Sequence, residues 1–274
     1  MTQDLVIGID SSTSATKAIA WDRSGRAVAE GRKAIGLANP HPGYFEQNPD
    51  DWWDAAAAAL RSITDQVDAR RIAAVAISNQ RETFSAFTED GAAIRPGMTW
   101  LDERARAQVV RFGQSFGAER VHAISGKPLD VLPCLYRIIW MAEHEPEIFA
   151  RAARFAEVHG YLTHCLTGQW RTSTASADPT GLLDMTSGLW SEAILDAAGI
   201  AIGKFHGVIM PTTPTGSRTI TAVPMVSSNS YFFSTSRVFM RWPRPAPACS
   251  FSAIGSGAPI SSETEAPISF MRPL

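Results

Sequence analysis

The sequence has few cysteines, no long apolar run and no excess of charge of one sign, and each shortage excludes a class of protein. Its three cysteines, Cys134, Cys165 and Cys249, lie far apart without a CxxC pair, which argues against a disulfide framework and a zinc site. The 25 basic and 27 acidic residues do not favour nucleic acid or an anionic membrane as a partner. Neither a basic leader nor an apolar run of about 20 residues is present, so we expect a cytoplasmic protein.

The composition changes near Gly216. Residues 217–274 contain 12 serines and 7 prolines but no lysine and no aspartate, and they show no sustained helical or strand periodicity. We therefore predict a folded domain over residues 1–216. The remainder, 217–274, is expected to be an aberrant low-complexity tail that is poorly ordered and is not a domain.

The first 216 residues alternate strand and helix signals. The segments LVIGID, KAIAWD and AVAEGRKAI read as a strand meander, and IAAVAIS as a fourth strand. Between them a helix is expected to begin at Asn48 and Pro49, with Trp53, Leu60 and Val67 as its apolar stripe. Further helical patterns cover about 102–116, 135–151 and 189–198. This order predicts an α/β domain with a mixed sheet.

The turn between the first two strands, GIDSSTSATK, is the first candidate site. A carboxylate at the end of a buried strand, followed by hydroxyl groups and a lysine, offers a ligand for Mg²⁺ and donors for phosphate oxygens. The turn is not a Walker loop, because the sequence has no GxxxxGK[ST] pattern. A plain hairpin, in which Asp10 and Ser12 make only local turn hydrogen bonds, explains the same residues.

Further segments follow this turn in an ordered series. They are HPGYFEQNPDDWW, ISNQRETF, MTWLDERA and GYLTHCLTGQWRTSTASADPTGLLDMTSGLWSEAILDAAGI. Together with GIDSSTSATKAIAWD they resemble the N-terminal domain of the FGGY family of carbohydrate kinases, which includes glycerol kinase and xylulokinase, over about 1–216. The resemblance implies an actin-like or ribonuclease H-like α/β fold with a mixed five-stranded sheet and flanking helices. It also implies phosphorylation of a sugar or polyol hydroxyl with ATP and Mg²⁺.

The resemblance assigns roles to two groups of residues. Those expected at the metal and phosphate are Asp10, Ser12, Thr13 and Lys17. Those expected at the substrate are Gln80, Arg81, Glu82, Trp100 and Asp102. The pair Arg81 and Glu82 matches the glycerol kinase pattern, in which such a pair hydrogen-bonds substrate hydroxyls. Trp100 matches an aromatic that packs on the carbon chain of the substrate.

Some of these residues have ordinary interpretations, and two positions depart from the family pattern. Arg81 and Glu82 could form a surface ion pair, Trp100 could be a core aromatic, and Asp102 is expected to cap the following helix. Ser12 stands where a glycine is usual. The tyrosine expected after Asp130 falls at about Leu132, so glycerol is not assured as the substrate.

The catalytic base of the family has no counterpart in this sequence. The resemblance places that aspartate in a GxGD turn of a second domain, whereas the last aspartate here is Asp196. We therefore expect no catalytic residue, no adenine pocket and negligible turnover from this chain alone. Three possibilities stay open: a truncated or frameshifted N-terminal half of a kinase, a non-catalytic polyol-binding module, or a half enzyme that needs a partner. That partner would be a complementary C-terminal domain or a second copy of the chain.

Overall fold

The computed structural model describes residues 3–205 and 207–209. Within these residues the strands are β1 (Leu5–Ser11), β2 (Ala15–Trp21), β3 (Ala27–Ala34), β4 (Glu46–Gln47), β5 (Ile72–Asn79), β6 (Phe84–Phe87), β7 (Gly97–Met98), β8 (Arg154–Glu157), β9 (Arg171–Ser173), β10 (Leu183–Asp184), β11 (Leu189–Trp190) and β12 (Gly207–Ile209). The helices are α1 (Pro49–Thr64), α2 (Arg106–Phe112), α3 (Ala118–Ser125), α4 (Cys134–His144), α5 (Pro146–Arg151), α6 (Val158–Thr167), α7 (Thr174–Ala177) and α8 (Glu192–Ala197). The tail predicted over 217–274 lies outside the described residues.

The first sheet has the strand order β3-β2-β1-β5. β1 pairs antiparallel with β2 and parallel with β5, so the sheet is mixed, as the sequence predicts. A parallel pair needs a long crossover connection, and α1 lies in the connection between β3 and β5. The turn after β1 and the loop after β5 therefore leave the sheet at the same edge.

The start of α1 is confirmed. The Asn48 side chain accepts a hydrogen bond from the backbone N–H of Asp50 at 3.2 Å, and Pro49 occupies the first turn. An amide cap and a proline at this position satisfy or remove backbone donors that the helix itself cannot pair. The segment EQNPDDWW thus has an architectural role.

The apolar face of α1 differs from the predicted one. Trp52, Ala56 and Ala59 are fully buried, because helical spacing brings them to one face against the first sheet. Trp53 is only partly buried, and Val67 lies beyond the end of the helix. The predicted seven-residue stripe is therefore wrong at both of its ends.

The first sheet has four strands where five are predicted, and the described residues also form a second four-stranded sheet and two two-stranded sheets, β10-β11 and β12-β9. The second sheet has the order β4-β7-β6-β8 and is antiparallel. β6 does not join the first sheet, because the chain turns after Asn79 and passes Glu82 with a φ of 48°. All four residues of β6 are buried, and β8 rather than the first sheet supplies their pairing.

Two apolar clusters pack on the two sheets. One joins β1, β2 and β5 to α1 and α6, and the other joins β6 and β7 to α4 and α8. The loop between β5 and β6 passes from the first cluster to the second. In the part of the chain that is described, no helix has the length and apolarity to cross a bilayer.

Candidate functional site

Asp10 lies near the end of β1, beside β5. Ser78 Oγ donates a hydrogen bond to Asp10 Oδ1 at 3.3 Å. Burial raises the pKa of the Asp10 carboxyl, while the Ser78 hydrogen bond and the charge of Lys17 oppose that rise. Ser12 closes the turn, because its Oγ donates to the carbonyl of Ala15 at 2.8 Å. The hairpin interpretation of the turn therefore explains Ser12 but not the half-buried carboxylate of Asp10.

Lys17 is opposite Asp10 in the β1–β2 register. Its Nζ lies 3.4 Å from Glu30 Oε2 on β3, and both side chains are well exposed to solvent. An exposed ion pair of this kind contributes little to stability. Lys17, the cation predicted at the phosphate, therefore lies on β2 opposite Asp10, with its ammonium group at Glu30.

A buried glutamine connects the turn to the loop after β5. Gln47 Nε2 donates to the carbonyl of Thr13 at 2.7 Å, and Gln47 Oε1 accepts from Gln80 Nε2 at 2.7 Å. The backbone N–H of Gln80 donates to the carbonyl of Ser11 at 2.8 Å. The structure thus brings the predicted phosphate turn and the predicted substrate loop together through Gln47 and Gln80.

Trp100 bridges the same two segments at the surface. Its Nε1 donates to Thr13 Oγ1 at 3.0 Å, and its backbone N–H donates to Thr83 Oγ1 at 3.2 Å. The side chain is 41% exposed and belongs to neither apolar cluster. A core role does not explain Trp100, since the ring is fixed at its edge while much of its surface stays open.

Glu82 has a strained backbone. It is the one non-glycine residue with positive φ among the described residues, a conformation that costs a residue with a Cβ about 1 kcal/mol or more. Its side chain is largely buried, and burial raises the pKa of the carboxyl against the opposing charges of Arg81, Arg137 and Lys127. Strain together with a buried carboxylate is characteristic of a functional site.

Arg137 on α4 holds this loop from beneath. Its fully buried guanidinium donates to the backbone carbonyls of Thr99, Glu82 at 2.6 Å and Leu132 at 2.5 Å. Burial lowers the pKa of the guanidinium, but an arginine stays protonated in proteins. One side chain therefore fixes the loops that carry Glu82, Trp100 and Leu132.

Arg81 pairs with a residue far away in the sequence rather than mainly with its neighbour. Arg81 Nη2 lies 2.9 Å from Asp178 Oδ2, whereas Arg81 Nε lies 3.8 Å from Glu82 Oε1. The other oxygen of Asp178 is 2.5 Å from Lys127 Nζ. The pair is thus part of a half-buried cluster, which the interpretation as an isolated surface ion pair does not explain.

Asp102 is fully buried and faces away from this cluster. It accepts from the backbone N–H of Phe45 at 2.8 Å and pairs with Arg104 at 2.7 Å. The predicted helix cap is wrong, because α2 begins at Arg106 and Ala105 occupies its cap position without a side-chain hydrogen bond. The assignment of Asp102 to the substrate stays a prediction.

Four residues of the site are missed by sequence reasoning: Gln47, Lys127, Arg137 and Asp178. Arg137 carries a signal, because a cation within the apolar helical segment CLYRIIWM has to find buried acceptors. Gln47 carries a weaker one, as an amide just before the cap of α1. Lys127 and Asp178 carry none, since only the tertiary fold brings them to Arg81.

The residues present fit one carboxylate ligand for a metal ion, and not a cage of protein ligands. No group of three or more His, Cys, Asp or Glu side chains suited to a metal occurs within the described ranges. Mg²⁺ is commonly held by one or two carboxylates together with water and phosphate oxygens. Asp10, with hydroxyl and backbone donors in the next turn, suits such a phosphate-borne ion.

Comparison with known proteins identifies the family. The model of the N-terminal domain of the FGGY family of carbohydrate kinases matches residues 5–226. A xylulose kinase of Bacillus subtilis is 32% identical over 198 residues, which cover 72% of this chain and 40% of that protein. A glycerol kinase of Methylibium petroleiphilum is 31% identical over 204 residues, covering 71% of this chain and 41% of the relative.

A solved structure shows the same architecture. The ligand-bound xylulose kinase of Lactobacillus acidophilus superposes with a TM-score of 0.72 at 27% identity, over 76% of this chain and 42% of that chain. The actin-like α/β fold that the sequence predicts is therefore confirmed, and the chain spans less than half the length of these relatives. The matched motifs, the shared fold and the family model lead to one conclusion: this chain belongs to the FGGY family of carbohydrate kinases.

Proposed function

We propose that this chain supplies the sugar- or polyol-binding half of an ATP-dependent kinase that transfers the γ-phosphoryl group to a substrate hydroxyl. The observation that carries the proposal is the strained, buried loop at Arg81 and Glu82, which is tied both to the Asp10 turn and to Trp100. Active sites of this kind hold their groups rigidly before the ligand arrives, because ordering them on binding would cost affinity.

The chemistry of the loop suits a carbon chain with adjacent hydroxyls. The Arg81 guanidinium donates hydrogen bonds and the Glu82 carboxylate accepts them, so the two can bind both lone pairs and protons of neighbouring hydroxyl groups. The exposed face of Trp100 can pack on the C–H surface between those hydroxyls. Gln80 is engaged with Gln47, which supports a role in holding the loop.

The phosphate side of the proposal rests on the β1–β2 turn. In it, Asp10 would hold a magnesium ion carried by the phosphates, with Thr13 and Lys17 as neighbouring donors. Ser12 would shape the turn, because its N–H and its hydroxyl both donate to the carbonyl of Ala15. Bound Mg²⁺ with ATP supplies the phosphoryl group and neutralises charge that develops on it. The protein residues of the turn orient that group toward the hydroxyl held at Glu82.

We further propose that this chain alone binds substrate without appreciable turnover. No aspartate follows Asp196, so no residue matches the GxGD base that the family resemblance implies. Loss of a general base alone lowers a rate by about 10² to 10⁴. A complementary C-terminal domain or a second copy would then restore the cleft. The boundary at residue 216 and a cytoplasmic location stay predictions.

Titration calorimetry of the full chain tests the binding function. Glycerol, erythritol, xylulose and ribulose are titrated separately, and at least one is expected to bind the chain. Glu82→Ala should abolish that binding, while Glu30→Ala, an exposed carboxylate on β3, should preserve it. If none of the four ligands binds, or if Glu82→Ala leaves binding unchanged, the proposed substrate site is rejected.

An ADP-release assay separates the three possibilities that the sequence leaves open. The chain with ATP, Mg²⁺ and the best ligand is expected to give no ADP above background. A separately encoded second domain that restores ADP release would favour the half enzyme, whereas binding that no partner converts to turnover would favour a binding module. Steady turnover by the chain alone would contradict the absence of a base.

A further inference from the structure

The two cations nearest the proposed substrate share one carboxylate. Arg81 Nη2 and Lys127 Nζ lie 2.9 Å and 2.5 Å from different oxygens of Asp178. The three residues come from the β5–β6 loop, the α3–α4 loop and the chain just after α7. The cluster is therefore formed only in the folded protein, beside the residues proposed to contact hydroxyls.

The cluster is shielded from solvent but not sealed. The side chains of Arg81, Lys127 and Asp178 are 28%, 23% and 19% exposed. Partial removal of water strengthens charge interactions relative to an open surface. An anionic ligand near Arg81 would thus have to compete with Asp178 for both cations, and Glu82 would add a second repulsive charge.

A neutral hydroxyl does not face this competition. One Arg81 guanidinium nitrogen, Nη2, donates to Asp178, and a guanidinium carries five N–H donors. A hydroxyl can accept from another of these N–H groups and donate to the Glu82 carboxylate, and it does so without displacing the ion pair. The arrangement therefore discriminates by charge rather than by size.

We propose that Asp178 and Lys127 are specificity-determining residues, which exclude anionic sugars such as aldonates from the site at Arg81 and Glu82. The proposal rests on the proposed polyol-binding function and deepens it. Asp178 blocks the cations, and Lys127 holds Asp178 in place. Specificity that depends on a repulsive element of this kind disappears when the element is removed.

The test compares a neutral ligand with an anionic one of the same carbon number. The alditol or ketose that binds best and the aldonate of the same carbon number are titrated into wild type, Asp178→Asn and Asp54→Asn. Asp54 is an exposed aspartate on α1, so its variant is a matched control. Asp178→Asn should shift the aldonate-to-polyol affinity ratio toward the aldonate by about tenfold or more, since it frees charged donors. The control should leave the ratio unchanged.

Substitution of Lys127 gives a second test of the same proposal. Lys127→Gln should shift the affinity ratio toward the aldonate by less than Asp178→Asn does, because Asp178 then loses one of its two partners but still pairs with Arg81. The double variant should show no gain beyond that of Asp178→Asn, since Lys127 acts through Asp178. If Asp178→Asn does not fold, as judged by circular dichroism, Asp178→Ser is measured instead.

The outcomes distinguish the two proposals. A wild type that binds no polyol rejects the proposed function and this inference with it. A wild type that binds polyol, with an affinity ratio that neither Asp178 variant changes, rejects the inference alone. A Lys127→Gln variant with the affinity ratio of wild type would also contradict the role given to Lys127.

Discussion

The two sides of the site, the β1–β2 turn and the loop at Glu82, are built differently. In the turn, Ser12 bonds within its own hairpin and Lys17 forms an exposed pair. The loop instead is held by a fully buried arginine and by a cluster drawn from three distant segments. This chain therefore fixes the proposed substrate loop through buried charges, whereas Gln47 and Trp100 hold the turn at Thr13 and Lys17 stays exposed.

The difference has an energetic basis. Arg137 satisfies backbone carbonyls that would otherwise lie unpaired in the interior, and each such loss costs about 1–3 kcal/mol. The exposed pair of Lys17 and Glu30 is screened by water and contributes about 0–1 kcal/mol. Substitutions on the two sides should therefore differ in their effect on the free energy of unfolding.

Arg137→Met should have the largest effect. It removes the donors for the carbonyls of Glu82, Thr99 and Leu132, so we expect a loss of about 3 kcal/mol or more in the free energy of unfolding. Urea denaturation followed by circular dichroism measures this. Arg120→Met, which removes only a cation–π contact with Phe116 on the surface, is the control. A loss at Arg137 no greater than at Arg120 would remove the contrast between the two sides.

The second-largest expected effect is the pH dependence of polyol affinity. Burial raises the pKa of Glu82, and the ionised carboxylate accepts a hydroxyl proton in a stronger hydrogen bond than the neutral acid does. Affinity should therefore fall as the pH drops through the raised pKa, by up to about tenfold per pH unit. Titration calorimetry across the acidic range checks the slope, and Glu82→Gln should have none.

The contribution of Glu82 to the stability of the fold should change in the opposite sense over the same range. A carboxyl with a folded pKa above its unfolded value binds its proton more tightly in the folded state, so its contribution to stability is larger at low pH and is lost as the pH rises through that interval. Urea denaturation of wild type and Glu82→Gln isolates the contribution of Glu82 from that of Asp10. A stability difference between wild type and Glu82→Gln that shifts in favour of wild type as the pH rises would contradict the raised pKa of Glu82.

Glu82→Gly should stabilise the fold while it removes ligand binding. Glycine adopts a φ of 48° without the cost of a Cβ, and about 1 kcal/mol of strain should be released. Gln169→Gly, at an exposed position outside the helices and strands, is a control for the general effect of glycine on the unfolded chain. Destabilisation by Glu82→Gly greater than that of the control would show that the side chain supports the fold instead.

Lys17→Met should have the smallest effect. Its pair with Glu30 is exposed on both sides, so the free energy of unfolding should change by no more than about 0.5 kcal/mol. Thermal denaturation of Lys17→Met and Glu30→Gln measures the pair from each side. A loss comparable with that of Arg137→Met would show that the turn is as firmly built as the loop.

Local signals predicted much of the fold. The cap at Asn48 and the four strands of the first sheet follow from short-range patterns, because caps and alternation are set by neighbours in the chain. The five strands that the family resemblance implied for the first sheet were wrong, since β5 is an edge strand and the chain then turns at Glu82 into β6 of the second sheet. Strand order depends on contacts far apart in the sequence, which periodicity does not record.

The residues of the site also divide into those that local motifs predicted and those that only the tertiary fold brings together. Motif resemblance predicted Asp10, Arg81, Glu82 and Trp100, and the structure links their segments to one another. It did not predict Asp178, since that residue meets Arg81 across 97 positions of the chain. Family motifs therefore predicted the residues proposed to contact substrate. The residues proposed to set specificity are brought together only by the tertiary fold.

A crystal structure of the full chain with its best polyol shows whether the substrate site is preformed. We expect hydroxyls within hydrogen-bond distance of Arg81 and Glu82, and the carbon chain against Trp100. The loop above Arg137 should keep the conformation described above. A polyol bound elsewhere, or a loop that rearranges to receive it, would contradict the claim that this chain carries a preformed substrate site.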